Sequence, residues 1–161
     1  MKFTALIVVM AGLQCCIVVA SGECEAGWRL HGDSCYLFNQ TKMTQAAAEE
    51  YCTTQNGHLA QPTSEGINTF LKTTASQLEN GTIEHYWIDG TDSAVEGQFR
   101  WLDGKCFSYV DWMSAEEPND RFGEDCIHLR ASLNYKWNDI SCSKLPFFFI
   151  CEKPTETCTT Q

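Results

Sequence analysis

The stretch His85-Tyr86-Trp87-Ile88-Asp89-Gly90 carries the strongest fold signal in this 161-residue sequence. Aromatic and β-branched residues favour extended backbone, so the stretch predicts a short strand over residues 85–88. The same kind of composition predicts strands at residues 97–101, 127–129 and 146–151. The C-terminal half is therefore expected to consist of short strands joined by loops rich in Gly, Asp and aromatic residues.

Upstream of this stretch the sequence predicts a hairpin and two helices. The turn His31-Gly32-Asp33 before residues 34–38 is typical of a hairpin. Residues 43–55 contain strong helix formers and end at Asn56-Gly57, which is typical of a left-handed cap. Residues 63–78 place apolar side chains at helical spacing, and Ser64 is the expected N-cap.

The composition indicates one compact, acidic domain. The chain has 21 acidic and 11 basic side chains, a formal net charge of −10, and a 43% hydrophobic content that can fill one core. Binding to phosphates requires clustered Lys and Arg, so the excess of acid disfavours nucleic acid as a partner. Calcium is the better expectation.

Residues 1–20 are interpreted as a secretory signal peptide. Lys2 gives a basic start, and the residues after it are almost wholly apolar and end on the small residue Ala20. The alternative is an uncleaved membrane anchor, since the segment approaches the roughly 20 residues that a spanning helix needs. No cluster of Lys or Arg flanks it, and only a few residues separate it from Cys24. We therefore expect a secreted, extracellular protein with no membrane insertion after cleavage.

Cysteine usage agrees with secretion. The chain has 10 cysteines, and removal of Cys15 and Cys16 with the leader leaves an even number, which predicts disulfides in an oxidising compartment. The eight remaining cysteines can pair in about 105 ways, so spacing alone does not assign the bonds. Two acceptor triplets, at Asn39 and Asn80, predict N-glycosylation at the protein surface.

Acidic side chains concentrate in residues 89–125, where ten carboxylates accompany three basic residues. A solvated acidic loop is the simpler interpretation of such a run. The triplet Glu117-Pro118-Asn119 and the pairs Glu124-Asp125 and Asn138-Asp139 favour a metal site, because they mix carboxylates with carboxamides. Calcium takes about six to eight oxygen ligands of these kinds. An amide also donates hydrogen bonds, so a calcium ion ringed by both types can hold a sugar hydroxyl, which is itself donor and acceptor.

Three motifs, in this order and with these cysteines between them, resemble the long form of the C-type lectin domain family. Trp87-Ile88-Asp89-Gly90 is similar to the family's Trp-Ile-Gly core motif, with Asp89 at a usually small position. Trp137-Asn138-Asp139 matches the strand-four motif, and Phe149-Ile150-Cys151-Glu152 matches the closing strand. The resemblance covers residues 24–152 and leaves residues 153–161 as a short C-terminal tail. It implies an α+β fold with two helices, small antiparallel sheets and a long calcium-binding loop, stapled by disulfides.

The resemblance also implies which cysteines pair. The three disulfides would be Cys24–Cys35 in the N-terminal hairpin, Cys52–Cys151 between the first helix and the last strand, and Cys126–Cys142 at the binding loop. Cys106 and Cys158 depart from the common pattern. They either bond to each other or link two chains.

Two calcium sites are implied in the same way. The ligands of the sugar-binding calcium would be Glu117, Asn119, Glu124, Asn138 and Asp139, the last with its backbone carbonyl as well. The ligands of an auxiliary calcium would be Asp92, Glu96, Asp120 and Asp125, with the Glu124 carbonyl. All of these residues are present. Many relatives that bind proteins, lipids or ice lack part of the first set, so its completeness favours sugar binding.

The Glu-Pro-Asn triplet resembles the version of the family that takes mannose-type sugars, whereas galactose binders usually carry Gln-Pro-Asp. The expected ligands are mannose, fucose, glucose and N-acetylglucosamine, on glycans of cell or microbial surfaces, as in innate defence. Flanking contacts from Arg121, Phe122, His128 or Lys136 would choose among these sugars. A single open site binds a sugar weakly, so a homo-oligomer is a further expectation.

Catalysis is not expected. The four histidines show no metal-ligand spacing, and no Gly-x-Ser-x-Gly motif occurs. Glu117 and Glu124 could imitate the acid pair of a glycosidase, but as calcium ligands both would be ionised, and neither could donate a proton. The main alternative to a lectin is a protein-binding module of the same fold that does not use sugar.

Overall fold

The computed structural model describes residues 23–79, 81–113, 123–143 and 145–155. The interpreted signal peptide and most of the C-terminal tail lie outside these residues. The α-helices and strands, in chain order, are β1 (Arg29–His31), β2 (Ser34–Met43), α1 (Gln45–Thr54), β3 (His58–Leu59), α2 (Glu65–Gln77), β4 (Tyr86–Thr91), β5 (Cys126–Arg130), β6 (Lys136–Ile140) and β7 (Phe147–Pro154), and a short 3₁₀ helix (Ala131–Leu133) links β5 to β6.

The strands form one seven-stranded sheet in the order β1-β2-β7-β4-β5-β6, with β3 also paired to β7. The α+β class with two helices is confirmed, but the expectation of separate antiparallel sheets is wrong. The pair β4 and β7 is parallel, while the other pairs are antiparallel. Because β7 comes from the end of the chain and inserts between β2 and β4, it joins the two halves into one mixed sheet, a pairing that local composition does not encode.

Both predicted helices form, and their first turns are capped by side chains. The Thr44 hydroxyl accepts from the Ala47 amide at 3.4 Å, and the Ser64 hydroxyl accepts from the Ile67 amide at 3.3 Å. Each cap satisfies an amide that the helix leaves without a partner. The Ser64 cap was expected from the sequence.

Helix α1 ends at Thr54, and the two predicted cap residues that follow it, Asn56 and Gly57, have different roles. Asn56 takes the left-handed conformation, with φ 60°. Gly57 does not, and instead lies against the last strand: a Cβ there would sit 2.5 Å from the backbone oxygen of Glu152. A side chain at Gly57 would therefore force α1 away from β7.

The strand predicted at residues 97–101 is wrong. Within residues 97–101 only Arg100 makes strand-type pairs, as isolated bridges to Thr91 of β4 and to Cys106 in the loop that follows. Gly97 turns the chain with φ 79°, and Trp101 then enters the core, where it is 2% exposed. The aromatic residues that suggested a strand are therefore buried from a loop.

Two groups of buried side chains fill the space between the sheet and its covering segments. One lies between the sheet, α2 and the long loop and includes Leu71, Ile88 and Trp137, and the other lies under α1 around Trp87. The expected pairs Cys24–Cys35, Cys52–Cys151 and Cys126–Cys142 are confirmed as disulfides. The second of these closes the longest loop and, in the chain-entropy model, stabilises the fold by about 4–5 kcal/mol. Among the described residues, no helix has the length and apolar character needed to span a membrane.

Candidate functional site

Strand register brings the acidic residues of three separate sequence regions to one end of the sheet. Thr91 of β4 pairs with Cys126 of β5, and Cys126 pairs with Ile140 of β6. The neighbours of these three residues are therefore close in space. They are Asp92 after β4, Glu124 and Asp125 before β5, and Asn138 and Asp139 in the last part of β6.

Asp92 has the clearest sign of a missing partner. Its side chain is 3% exposed, and Oδ2 accepts a hydrogen bond from the Gly97 amide at 2.9 Å. Oδ1 is buried and has no hydrogen-bond partner. A buried carboxylate oxygen without a partner costs free energy, so this atom is a natural position for a cation.

Two further carboxylates lie near Asp92. Glu96 is exposed, and desolvation together with the charges of Asp92 and Asp125 raises the pKa of its carboxyl group. Mutual repulsion of this kind is relieved when a cation binds between the groups. These three residues, predicted as auxiliary calcium ligands, are thus electrostatically coupled in the structure.

Asn138 and Asp139 lie next to each other at the end of β6, with 9% and 6% of their surfaces exposed. The Asn138 amide donates from Nδ2 to the backbone oxygen of Asp139. Its Oδ1 accepts a hydrogen bond from Nη1 of Arg130 at 3.0 Å. The two oxygens assigned to a calcium ion by the sequence analysis are therefore held by polar partners within the protein.

The remaining predicted ligands, Glu117, Asn119 and Asp120, lie outside the described residues, as do the flanking candidates Arg121 and Phe122. Within the described ranges, no three His, Cys, Asp or Glu side chains are arranged to hold a metal ion. The described residues thus contribute only part of each predicted ligand set.

The donor chemistry of that part fits calcium. The donors are carboxylate, carboxamide and backbone oxygens, which hard cations such as calcium prefer. The partnerless Oδ1 of Asp92 is the observation on which this fit depends. When bound, calcium would supply direct coordination of sugar hydroxyls.

His128 is not a flanking sugar contact. It is 2% exposed, and burial, followed by the charges of His85 and Arg130, lowers the pKa of its imidazole to about 3. The pattern of β5 explains this, because His128 lies between Trp87, Phe147 and His85 on the sheet face opposite to Ile127 and Leu129. The sequence did not reveal which face of β5 is covered.

Lys136 also has a partner within the protein, since its ammonium group forms an ion pair with Asp111. Asp111 and Arg130 are the residues that sequence reasoning missed. In the sequence Asp111 is one of ten acids in residues 89–125, and Arg130 belongs to no motif. Neither contact has a local sequence signal.

The aromatic side chains near this end of the sheet pack in the core, as expected from the sequence. Trp137 is fully buried, and the rings of Trp112 and Trp137 lie 5.6 Å apart in an edge-to-face arrangement. Cys106 is exposed, forms no disulfide with a described cysteine and accepts from Nη1 of Arg100 at 2.9 Å. Cys158 lies outside the described residues, so both proposed pairings stay open.

One of the two predicted glycosylation positions is described. Asn39 lies in β2, is half-buried, and its Oδ1 accepts from the Thr41 amide at 2.8 Å. Asn80 lies outside the described residues. Modification of both stays a prediction.

Comparison with known proteins gives consistent matches. The family model described as the lectin C-type domain matches residues 41–153. The chain is 34% identical over 134 residues to an alpha-N-acetylgalactosamine-specific lectin of Patiria pectinifera, and the match covers 80% of this chain and 79% of that protein. The carbohydrate-recognition domain of the mouse scavenger receptor C-type lectin superimposes with a TM-score of 0.74 at 31% identity, covering 83% of this chain and all of that one. A calcium-independent type II antifreeze protein has a TM-score of 0.72 at 30% identity, covering 83% and 96%.

Proposed function

The chain belongs to the C-type lectin domain family, and on that premise we propose that it is a secreted, calcium-dependent lectin for mannose-type sugars. The expected sugars are mannose, fucose, glucose and N-acetylglucosamine, carried by glycans on cell or microbial surfaces. Domains of this family are generally binding proteins rather than enzymes. Recognition of foreign or self glycans in innate defence is the corresponding biological role.

The main support for the proposal is one observation: the strand register places the backbone positions of Asp92, Asp125 and Asp139, from three separate parts of the sequence, at one end of β4, β5 and β6. Among them is a buried carboxylate oxygen without a partner. A buried carboxylate oxygen without a partner, close to further acidic side chains, favours a divalent cation.

Each part of the proposed site has a task that follows from its chemistry. Carboxylates of Glu117 and Glu124 would accept hydrogen bonds from sugar hydroxyls, and the amides of Asn119 and Asn138 would donate to them. A pair of neighbouring equatorial hydroxyls fits this alternation of acceptors and donors. Glu117-Pro118-Asn119 supports the mannose-type preference, because it resembles the triplet of lectins with that preference.

The test is chromatography of the full chain, expressed in secreting cells, on mannose-agarose and galactose-agarose in millimolar calcium. Retention on mannose, with release by free mannose and by EDTA, is the expected result. Asp139→Asn removes a proposed ligand, and Asp33→Asn is the matched control because it makes the same change in the exposed β1–β2 turn. The first variant should lose retention and the control should keep it.

Other outcomes separate the alternatives. Retention on neither resin, with calcium binding intact, would favour the protein-binding module, whose partner mannose does not displace. A protein that binds no calcium at all would contradict the proposed site. Mass analysis of the N-terminus of the secreted chain tests cleavage after Ala20, and an intact leader would favour the membrane anchor.

A further inference from the structure

We propose that Asp111 is a positioning residue for the calcium and sugar site, because it fixes β6, and with it Asn138 and Asp139, to helix α2. The effect of Asp111 on calcium and sugar binding rests on the proposed function, whereas its effect on the position of β6 does not. Asp111 is not among the predicted calcium ligands. Its carboxylate instead contacts side chains of α2 and of β6.

The Asp111 carboxylate joins three elements. Oδ2 accepts from Nζ of Lys72 and from Nδ2 of Asn68, both on α2 and both at 2.8 Å. Oδ1 accepts from Nζ of Lys136 at the start of β6. The Asp111 side chain is 11% exposed, so these contacts are shielded from water better than ordinary surface ion pairs.

The Asp111 backbone adds a second connection to β6. Its carbonyl accepts from the Trp137 amide at 3.0 Å, and the Met113 amide donates to the Trp137 carbonyl at 3.3 Å. A parallel bridge joins Trp112 to Trp137. Residues 111–113 therefore extend the sheet by one short segment beside β6, directly next to Asn138.

Asn68 closes the network into a ring. It is 2% exposed, and its Oδ1 accepts from the Trp137 indole at 2.9 Å while its Nδ2 donates to Asp111. Trp137 is thus held by its indole through Asn68 and by its amide through the Asp111 carbonyl. Since Trp137 precedes Asn138 and Asp139, its position determines where their oxygens lie.

The charges make Asp111 the centre of this network. It is the shared counter-charge of Lys72 and Lys136, which approach the same carboxylate from two elements. Burial acts to raise the pKa of Asp111, but hydrogen bonds from Lys136, Lys72 and Asn68 keep it below its usual value, so the group is ionised at neutral pH. Without this charge the two ammonium groups would repel each other and separate β6 from α2.

The experiment compares Asp111→Asn with Asp103→Asn. The control removes a carboxylate that forms an exposed ion pair with Lys105 in the same long connection, at 2.6 Å. Calcium affinity is measured by tryptophan fluorescence below the thermal transition of each variant. We expect Asp111→Asn to weaken calcium binding by about ten-fold, as changes to residues that orient metal ligands commonly do, and the control to leave it unchanged.

Adding Lys72→Gln to Asp111→Asn removes one uncompensated ammonium group and should recover part of the affinity. A merely structural residue would lower the melting temperature without moving the calcium affinity of the folded protein. An unchanged affinity in Asp111→Asn would overturn its influence on the site.

Hydrogen exchange, measured in EDTA, separates this inference from the proposed function. The amides of Met113 and Trp137 should exchange faster in Asp111→Asn than in Asp103→Asn. If the wild type binds no calcium, the proposed function fails, and faster exchange would still support Asp111 as the residue that fixes β6. Equal exchange in both variants would overturn the inference.

Discussion

Arg130 donates a hydrogen bond from Nη1 to Oδ1 of Asn138 across 3.0 Å. The oxygen that the proposed site assigns to calcium therefore already binds a guanidinium group. The two residues lie on neighbouring antiparallel strands, in which Arg130 pairs with Lys136 and Asn138 pairs with His128. A fixed positive charge at this position competes with a second cation for the same atom.

Replacement of Arg130 by Met is therefore expected to strengthen calcium binding. A charge-assisted hydrogen bond contributes about 1.5 kcal/mol, which corresponds to roughly a ten-fold rise in affinity. Calcium titration of Arg130→Met against Arg29→Met, the same change on exposed β1, measures the effect. Weaker or unchanged binding in Arg130→Met would mean that Arg130 orients Asn138 rather than competing for it.

Asp92→Asn should remove most of the stabilisation that calcium gives. A ligand at 100 times its dissociation constant stabilises the folded state by about 2.7 kcal/mol, seen as a higher melting temperature. Because Oδ1 of Asp92 is buried without a partner, the variant should be at least as stable as the wild type in EDTA. Thermal unfolding with calcium and with EDTA checks both results, and a full calcium response in Asp92→Asn would exclude Asp92 as a ligand.

Asp89 should stabilise the fold more at acid pH than at neutral pH. Its carboxylate is 1% exposed, and burial raises its pKa to about 6 even though Leu102, Gln61 and Gly90 donate hydrogen bonds to it. The folded state therefore binds a proton more tightly than the unfolded state, whose Asp titrates near 3.9. The contribution of Asp89 consequently rises as the pH falls from 7 towards 4.

Urea unfolding of wild type and Asp89→Asn in EDTA measures this effect. Between pH 7 and pH 5 the difference in unfolding free energy should shift by about 1 kcal/mol in favour of the wild type. Asp103→Asn, on the exposed surface, serves as the control and should show no such shift. A constant difference between wild type and Asp89→Asn would show that Asp89 titrates normally.

The double substitution Glu117→Gln with Asn119→Asp should move sugar preference from mannose towards galactose. The change exchanges the acceptor and donor at the two positions, so a different arrangement of hydroxyls fits. Elution from mannose-agarose and galactose-agarose measures the preference, and Asp33→Asn is the control for folding and yield. An unaltered sugar profile would place specificity in other residues.

Much of the fold could be predicted because its signals are local. Helices α1 and α2 have strong helix formers and side-chain caps, and the hairpin of β1 and β2 has a turn sequence at Gly32. The three disulfides were implied by the resemblance to the family, since the spacing of the cysteines does not assign them. The strand expected at residues 97–101 failed because aromatic side chains are buried equally well from a loop, as Trp101 is.

By itself the sequence determined the two helices, the family and the residue types of the proposed site, because these depend on local propensity and on the order of motifs. Only the tertiary structure decided that β7 inserts between β2 and β4, that His128 is buried, and that Asp111 joins Lys72 to Lys136. Those relationships connect residues that are distant along the chain. They depend on strand register and on the burial of charge, and neither property is encoded in any short stretch of sequence.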